Sequence, residues 1–187
     1  MKLRMRISDL DLIFLPGLGN SGPDHWQSRW QARLSTARRL DLPEWDAPEC
    51  AAWASRITQS VAAAQRPIVF IAHDLGCNAL VAAAADFAPD KVKGAFLVAP
   101  ATPRRVAGSA GVDPAFARAP AAPLPFAAFC AASANDPFND LTASSDWAAA
   151  VGAQFTSAGD AGHIDAASGH GPWPEGLLSL AGFLRKL

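Results

Sequence analysis

Six consecutive residues, PIVFIA (67–72), run into HDLGC without a charged interruption, and an Ala-rich stretch of helical character follows at once. A run so apolar and rich in β-branched residues fits a strand buried on both faces. Such strands belong to parallel sheets covered by helices on each side. The rest of the chain has to supply those partners, and it does so by alternation. Strand-like runs at 11–15, 38–42, 91–100, 124–133 and 154–159 are separated by helical stretches at 24–35, 48–65, 76–88, 139–152 and 174–187. Alternation of this kind predicts an α/β fold with a mostly parallel sheet and helices on both faces. Only residues 100–123, rich in Pro, Gly and Ala, lack a pattern. They read as a surface connection too short to form a separate cap.

A chain of 187 residues is most simply one domain, 1–187. Half of it is hydrophobic, 18% is charged and the formal net charge is −1, which gives no basic excess for nucleic acid. No apolar stretch reaches the roughly 18–20 residues of a membrane span. The opening MKLRMRISDLDLIFL is interrupted by Asp9 and Asp11 and lacks a small-residue cleavage site, so it reads as the lead-in to a first strand of a cytoplasmic protein. Cys50, Cys77 and Cys130 form neither a disulfide framework nor a metal pattern, and the four histidines show no ligand spacing. The expectation is therefore no metal and no cofactor, and a small-molecule substrate as partner. A protein partner is not readable.

In doubly wound sheets, ligands sit at the carboxyl ends of the strands. Four polar segments fall there: PGLGNSG (16–22), AHDLG (72–76), SANDP (133–137) and AGDAGHIDAASGHG (158–171). A sharp strand-to-helix turn is how a nucleophile is exposed above such a sheet, usually as G-x-S-x-G, and Asp74 stands where Ser is expected. Asp74, Asp136 and His163 follow in the order nucleophile, acid, histidine, 62 and 27 positions apart. Three matches in order, with a Gly-rich loop after the first strand, point to a hydrolase site.

The stretches PGLGNSGPDHWQSRW, AHDLGCNAL, SANDPF and GHIDAASGHGPWPEG resemble the small serine-hydrolase family of the α/β-hydrolase superfamily, which includes retinoblastoma-binding protein nine and bacterial relatives. The resemblance covers nearly the whole chain and implies a single-domain, capless α/β-hydrolase with a Ser-Asp-His triad acting on ester-like or amide-like small molecules. Asp136 matches the acid and His163 the histidine; at Asp74 the chain departs from the family. His163 would be the general base held by Asp136, and the backbone N–H groups of Leu18 and Leu75 would form the oxyanion hole. Gly76 would let helix and strand pack closely, while Gly17 and Gly19 would let the loop approach the substrate.

Asp74 at a helix N-terminus should be ionised, and a carboxylate needs no base to attack. The chemistry open to it is attack on an alkyl carbon followed by hydrolysis of the resulting ester. Against ordinary esters it would form an anhydride and repel the developing oxyanion. The chain has no Tyr to assist an epoxide, Leu75 where haloalkane dehalogenases usually carry Trp, and no cap. Three readings stand. One is a hydrolase using Asp74 as nucleophile or as base toward water. Another is an impaired homologue or nucleophile variant of a serine enzyme, acting as a ligand- or protein-binding module. The third is different chemistry carried by other groups in the pocket.

Other residues carry weaker signals. His25 and Trp26 are either a substrate-binding wall or a helix start packed on the sheet. His73 reads as packed beside the sheet, and His170 and Trp173 as anchors. Cys77 should point away from the turn, Asp24 should cap the first helix, and Ser133 and Asn135 should shape their loop. Asp165 competes with Asp136 for His163, with strand-end position favouring Asp136.

Overall fold

The computed structural model describes residues 6–187. The start of the expected N-terminal lead-in, residues 1–5, lies outside them. Six strands form one sheet: β1 (Asp11–Leu15), β2 (Ala37–Arg39), β3 (Ile68–His73), β4 (Val92–Val98), β5 (Ala127–Ala132) and β6 (Gln154–Ser157). All are parallel, in the order β2-β1-β3-β4-β5-β6. The chain steps outward from β1 to β2 and then returns to place β3 on the other side of β1. That reversal is a topological switch point, where loops after neighbouring strands diverge and leave a crevice.

The apolar run of β3 is buried at every position, as a central strand requires. Its alternate residues feed two cores. On one face Ile68, Phe70 and Ala72 join Trp53 and Ile57 of α2 (Cys50–Ala63) and Leu80 of α3 (Leu75–Ala83). On the other, Val69 and Ile71 join Trp26 and Trp30 of α1 (Trp26–Gln31), Trp173, and Leu180 and Phe183 of the C-terminal helix (Pro174–Leu184). A remaining helix at Leu141–Ala150 follows β5 and packs beside β6.

Several elements are shorter than the sequence suggests. The first helix holds only Trp26–Gln31, and its N-cap is His25, whose Nδ1 accepts from the Gln27 N–H. Asp24 therefore does not cap it; it pairs instead with Arg29. The second strand stops at Arg39, after one further ladder bond from Leu40 N–H to the Phe14 carbonyl, because Pro43 lies just beyond.

The largest correction concerns residues 100–123. This segment contains a short helix, Pro103–Ala107, and a 3-10 turn, Pro114–Ala117. Asn78 of α3 anchors it, donating to the carbonyls of Ala101 and Phe116 and accepting from the Ala101 N–H. The helix Pro103–Ala107 is called α4 below, the helix Leu141–Ala150 α5, and the C-terminal helix α6.

Candidate active site

The carboxyl ends of β1 and β3 meet at the switch point. Asp74 ends β3 and opens α3 with φ 49° and ψ −124°, a conformation that costs a non-glycine residue on the order of 1–3 kcal/mol and is held only by surrounding structure. Two glycines make the turn possible. A Cβ on Gly76 would sit 2.5 Å from the Leu15 carbonyl oxygen, and one on Gly17 would sit 2.5 Å from the Asp74 Cβ. Gly19 differs from expectation: its neighbourhood is open and its φ is 73°, so glycine serves the turn there, not close approach.

Asp74 is about 1% exposed, and every neighbour is specific. Its Oδ2 accepts from the Leu18 N–H at 3.2 Å and from Arg105 Nη2 at 3.2 Å, while Oδ1 accepts from Arg105 Nε at 3.1 Å. The Arg105 guanidinium thus grips both oxygens in a fork. His163 Nε2 lies 3.7 Å from Oδ1 and has no hydrogen-bond partner among the described residues. Leu75 is the first residue of α3, where a helix leaves its N–H groups unused.

The other ring nitrogen of His163, Nδ1, is 2.9 Å from Asp136 Oδ2. Asp136 is itself fixed by the N–H groups of Phe138 and Asn139 and by the Asn139 side-chain amide. Asp165 turns away and binds Ser168. Ser133 and Asn135 do shape the loops: Ser133 Oγ accepts from the Ala161 N–H and Asn135 Oδ1 from the Gly162 N–H, which ties the His163 segment to the end of β5.

The expected site residues Asp74, Asp136, His163, Leu18 and Leu75 therefore converge. Trp26 does not line an open pocket. It is fully buried, and its indole N–H donates to the Ile164 carbonyl, steadying the backbone that carries His163. His25 is also buried, with its ring 5.0 Å from that of His73. His73 Nε2 meets the His163 carbonyl at 2.9 Å, so its Nε2 carries the proton. Trp173 stacks on Trp30, an anchor as expected. Cys77 is buried with its Sγ toward the Val98 carbonyl, the same oxygen that accepts the Asp74 N–H.

Arg105 is the residue that sequence reading missed. It comes from α4, within the segment taken as featureless. Its Cζ lies 4.4 Å from the centroid of the Phe138 ring, and its Nη1 donates to Ser109 Oγ. Its only sequence signal is indirect: a buried carboxylate requires a counter-charge.

Charge balance sets the protonation states. Burial alone would raise the Asp74 carboxyl, but the charges of His163 and Arg105 and the Arg105 hydrogen bonds outweigh it and hold the group below its ordinary value. Burial would lower His163, yet its bond to Asp136 and the nearby Asp74 charge lift it above the ordinary histidine value. Asp136 is likewise held low against its burial, chiefly by His163. The site is thus a buried array of the Asp74 and Asp136 carboxylates, the Arg105 guanidinium and the His163 ring, whose charged form these neighbours favour.

The two other buried histidines behave oppositely. Burial, reinforced by the His163 charge, drops His73 to about 4, and burial with His73 drops His25 to about 3. Between about pH 6.5 and 4 the unfolded chain takes up protons that these folded rings refuse, so stability falls as pH falls through that window. His73 alone accounts for about 3 kcal/mol by pH 4. His163 acts in the other direction: its contribution is complete below about 6.5 and is lost as pH rises through its raised folded value. Urea midpoints measured from pH 4 to 8 should therefore drop steeply on the acid side of 6.5 and more gently on the alkaline side. A flat acid limb would show these histidines to be solvated.

Residues 12–182 match the family model described as serine hydrolase. The chain belongs to the serine hydrolase family. Among solved structures it is similar to a YdeN-like protein of Pectobacterium atrosepticum, with 32% identity, 95% of this chain and 92% of that chain covered, and a TM-score of 0.81. It also resembles the ydeN gene product of B. subtilis, at 17% identity over 92% of this chain and 97% of that one, with a TM-score of 0.72. An esterase domain from a Rhodothermus marinus protein shares the fold at 14% identity, with 92% and 85% covered and a TM-score of 0.66. Among curated proteins, no sequence matches. The six-stranded sheet is thus an α/β-hydrolase sheet in a serine hydrolase-family protein. Among the described residues no helix is long and apolar enough to cross a membrane.

Proposed function

We propose that this serine hydrolase-family protein hydrolyses a small ester-like molecule on its alkyl side, with Asp74 as nucleophile, His163 as the base toward water and Asp136 as the residue that orients His163. One observation carries the reading: Asp74 Oδ2 already occupies the Leu18 N–H, the donor a substrate's acyl oxyanion would require. An acyl intermediate would find one of its two expected donors taken, with the Leu75 N–H left to it alone. An ester built on Asp74 itself keeps the Leu18 N–H, because its carbonyl oxygen would be Oδ2. Amide substrates, included in the expectation from the resemblance, fit this route poorly because the group displaced from the alkyl carbon would be an amide anion, a poor leaving group.

The steps follow from the charges. Oδ1 attacks a saturated carbon, a carbon–oxygen bond forms, and the bond to the leaving oxyacid breaks with its electron pair. Asp74 is then neutral, and the nearby negative charge that raised His163 has gone. His163 then loses one of the charges that raise it, so its proton passes more readily to solvent, and the neutral ring can accept one from water. Hydroxide adds to the Asp74 carboxyl carbon, and the developing charge on Oδ2 meets the Leu18 N–H and Arg105 Nη2. On collapse the alkoxide takes Oδ1, receives from His163 the proton that came from water and leaves as the alcohol, and the Asp74 carboxylic acid passes its proton to His163 and is again a carboxylate.

Turnover of 4-nitrobenzyl acetate in 18O-labelled water tests this. Alkyl cleavage places the label in the peptide containing Asp74 and then in the alcohol. Label found only in the acetate would refute it. The fork from Arg105 and the burial of Asp74 favour a second reading, an impaired homologue that binds a ligand or protein. No turnover by the unchanged chain, with none of the label in Asp74, would support that reading instead.

A further inference from the structure

The Arg105 side chain carries five N–H donors, and its contacts use three: Nε and Nη2 to Asp74, and Nη1 to Ser109. Among the described residues the other two have no partner, one on each terminal nitrogen. Those two nitrogens form the second flat edge of the guanidinium, the edge shaped for two parallel bonds to a carboxylate. The side chain keeps 14% of its surface exposed, and the ring it rests on, Phe138, is 40% exposed. A planar cation with spare paired donors, set on a half-open aromatic face, stands directly over the reactive carboxylate. His163 Nε2, the unpartnered donor, lies beside the same Oδ1 that Arg105 Nε holds.

We infer that Arg105 and Phe138 form the recognition site for a small organic carboxylate with an apolar body, the oxyacid portion of the ester that Asp74 would attack. This deepens the reading of Asp74 as nucleophile and names the class of its leaving group. Arg105 then has two roles with its two edges. The inner edge neutralises Asp74, and the outer edge donates to the carbonyl oxygen of an incoming ester and stabilises the carboxylate that departs once the alkyl–oxygen bond has broken. The Phe138 ring takes the apolar body and keeps the guanidinium plane fixed. Asp74 competes with such a ligand for the same cation, so a free carboxylate binds the resting site more weakly than it would bind a site without the Asp74 charge.

Calorimetric titration of the full chain with benzoate, benzamide and inorganic phosphate at low ionic strength tests the assignment without requiring turnover. Benzoate should bind at least tenfold tighter than neutral benzamide and tighter than phosphate, which lacks the apolar body. Asp74→Asn should tighten benzoate by about tenfold or more. Adding Arg105→Gln to Asp74→Asn, a pair that leaves no buried carboxylate without its counter-ion, should abolish that gain. Phe138→Ala, at an exposed position, should weaken benzoate severalfold while leaving acetate unchanged. Equal binding of benzoate and benzamide, phosphate binding as tight as benzoate, or benzoate binding that survives Arg105→Gln would overturn the proposal. Benzoate binding as expected, with no 18O label in Asp74, would leave the carboxylate site standing and refute the alkyl-cleavage route alone.

Discussion

Asp74→Ser is expected to raise hydrolysis of p-nitrophenyl acetate about a hundredfold or more above the unchanged chain. Three obstacles disappear with one carboxylate. The Leu18 N–H loses Asp74 Oδ2 and becomes available to a substrate oxyanion, and a single such donor is worth about a hundredfold or more in rate. His163 loses one of the charges that raise it, so more of it is neutral at pH 7, while its bond to Asp136 persists. Its unpartnered Nε2 gains a hydroxyl to deprotonate, and a positioned base is worth about a hundredfold or more. Arg105, freed from Asp74, keeps Ser109 and the Phe138 ring and adds positive potential near the developing oxyanion. Steady-state rates on both proteins check the expectation. A serine variant that stays folded but no faster than the unchanged chain would mean that His163 and Leu18 are not arranged for acyl transfer.

What the residues revealed, and what they concealed, follows from the range of each signal. The strand at 67–72 is legible because burial on both faces leaves an unbroken apolar run, and the turn after it because Gly76 must admit the Leu15 carbonyl. Asp136 and His163 are legible because strand ends are marked locally and the chain order restricts the choice. Trp26 was ambiguous between wall and core for a physical reason. Its partner, the Ile164 carbonyl, lies 138 positions away, and nothing near Trp26 encodes that contact. Arg105 was invisible for the same reason made worse. It lies in a five-residue helix with no apolar period, and its ion pair with Asp74 depends on Asn78 fastening the segment to α3. Resemblance to a serine family gave no reason to look for a cation, because a hydroxyl needs none.

The same ion pair yields the largest expected effect on stability, and the effect should be lopsided. Arg105→Gln leaves Asp74 as a buried carboxylate with His163 as its nearby cation and the Leu18 N–H as its donor, whereas Asp74→Asn leaves a guanidinium that still has Ser109, the Phe138 ring and a partly exposed side chain. Breaking the buried pair from the arginine side should cost about 3 kcal/mol, the low end for such a loss because His163 remains as a second counter-charge. In a chain of this size that lowers Tm by roughly 10 °C. Asp74→Asn should cost less, since the cation it strands is partly solvated already. The double variant Asp74→Asn/Arg105→Gln should recover most of the Arg105→Gln loss, and the difference, read as a double-mutant cycle from urea titrations, is the coupling of the pair. If the single losses simply add, the two side chains do not sense each other in solution, and Asp74 would then have to be stabilised by His163 and the Leu18 N–H alone. A large coupling with little loss from Asp74→Asn would instead show that Arg105 was placed to keep a carboxylate ionised at this turn. An aspartate supported in that way is an integrated part of the fold, not an isolated replacement of a serine.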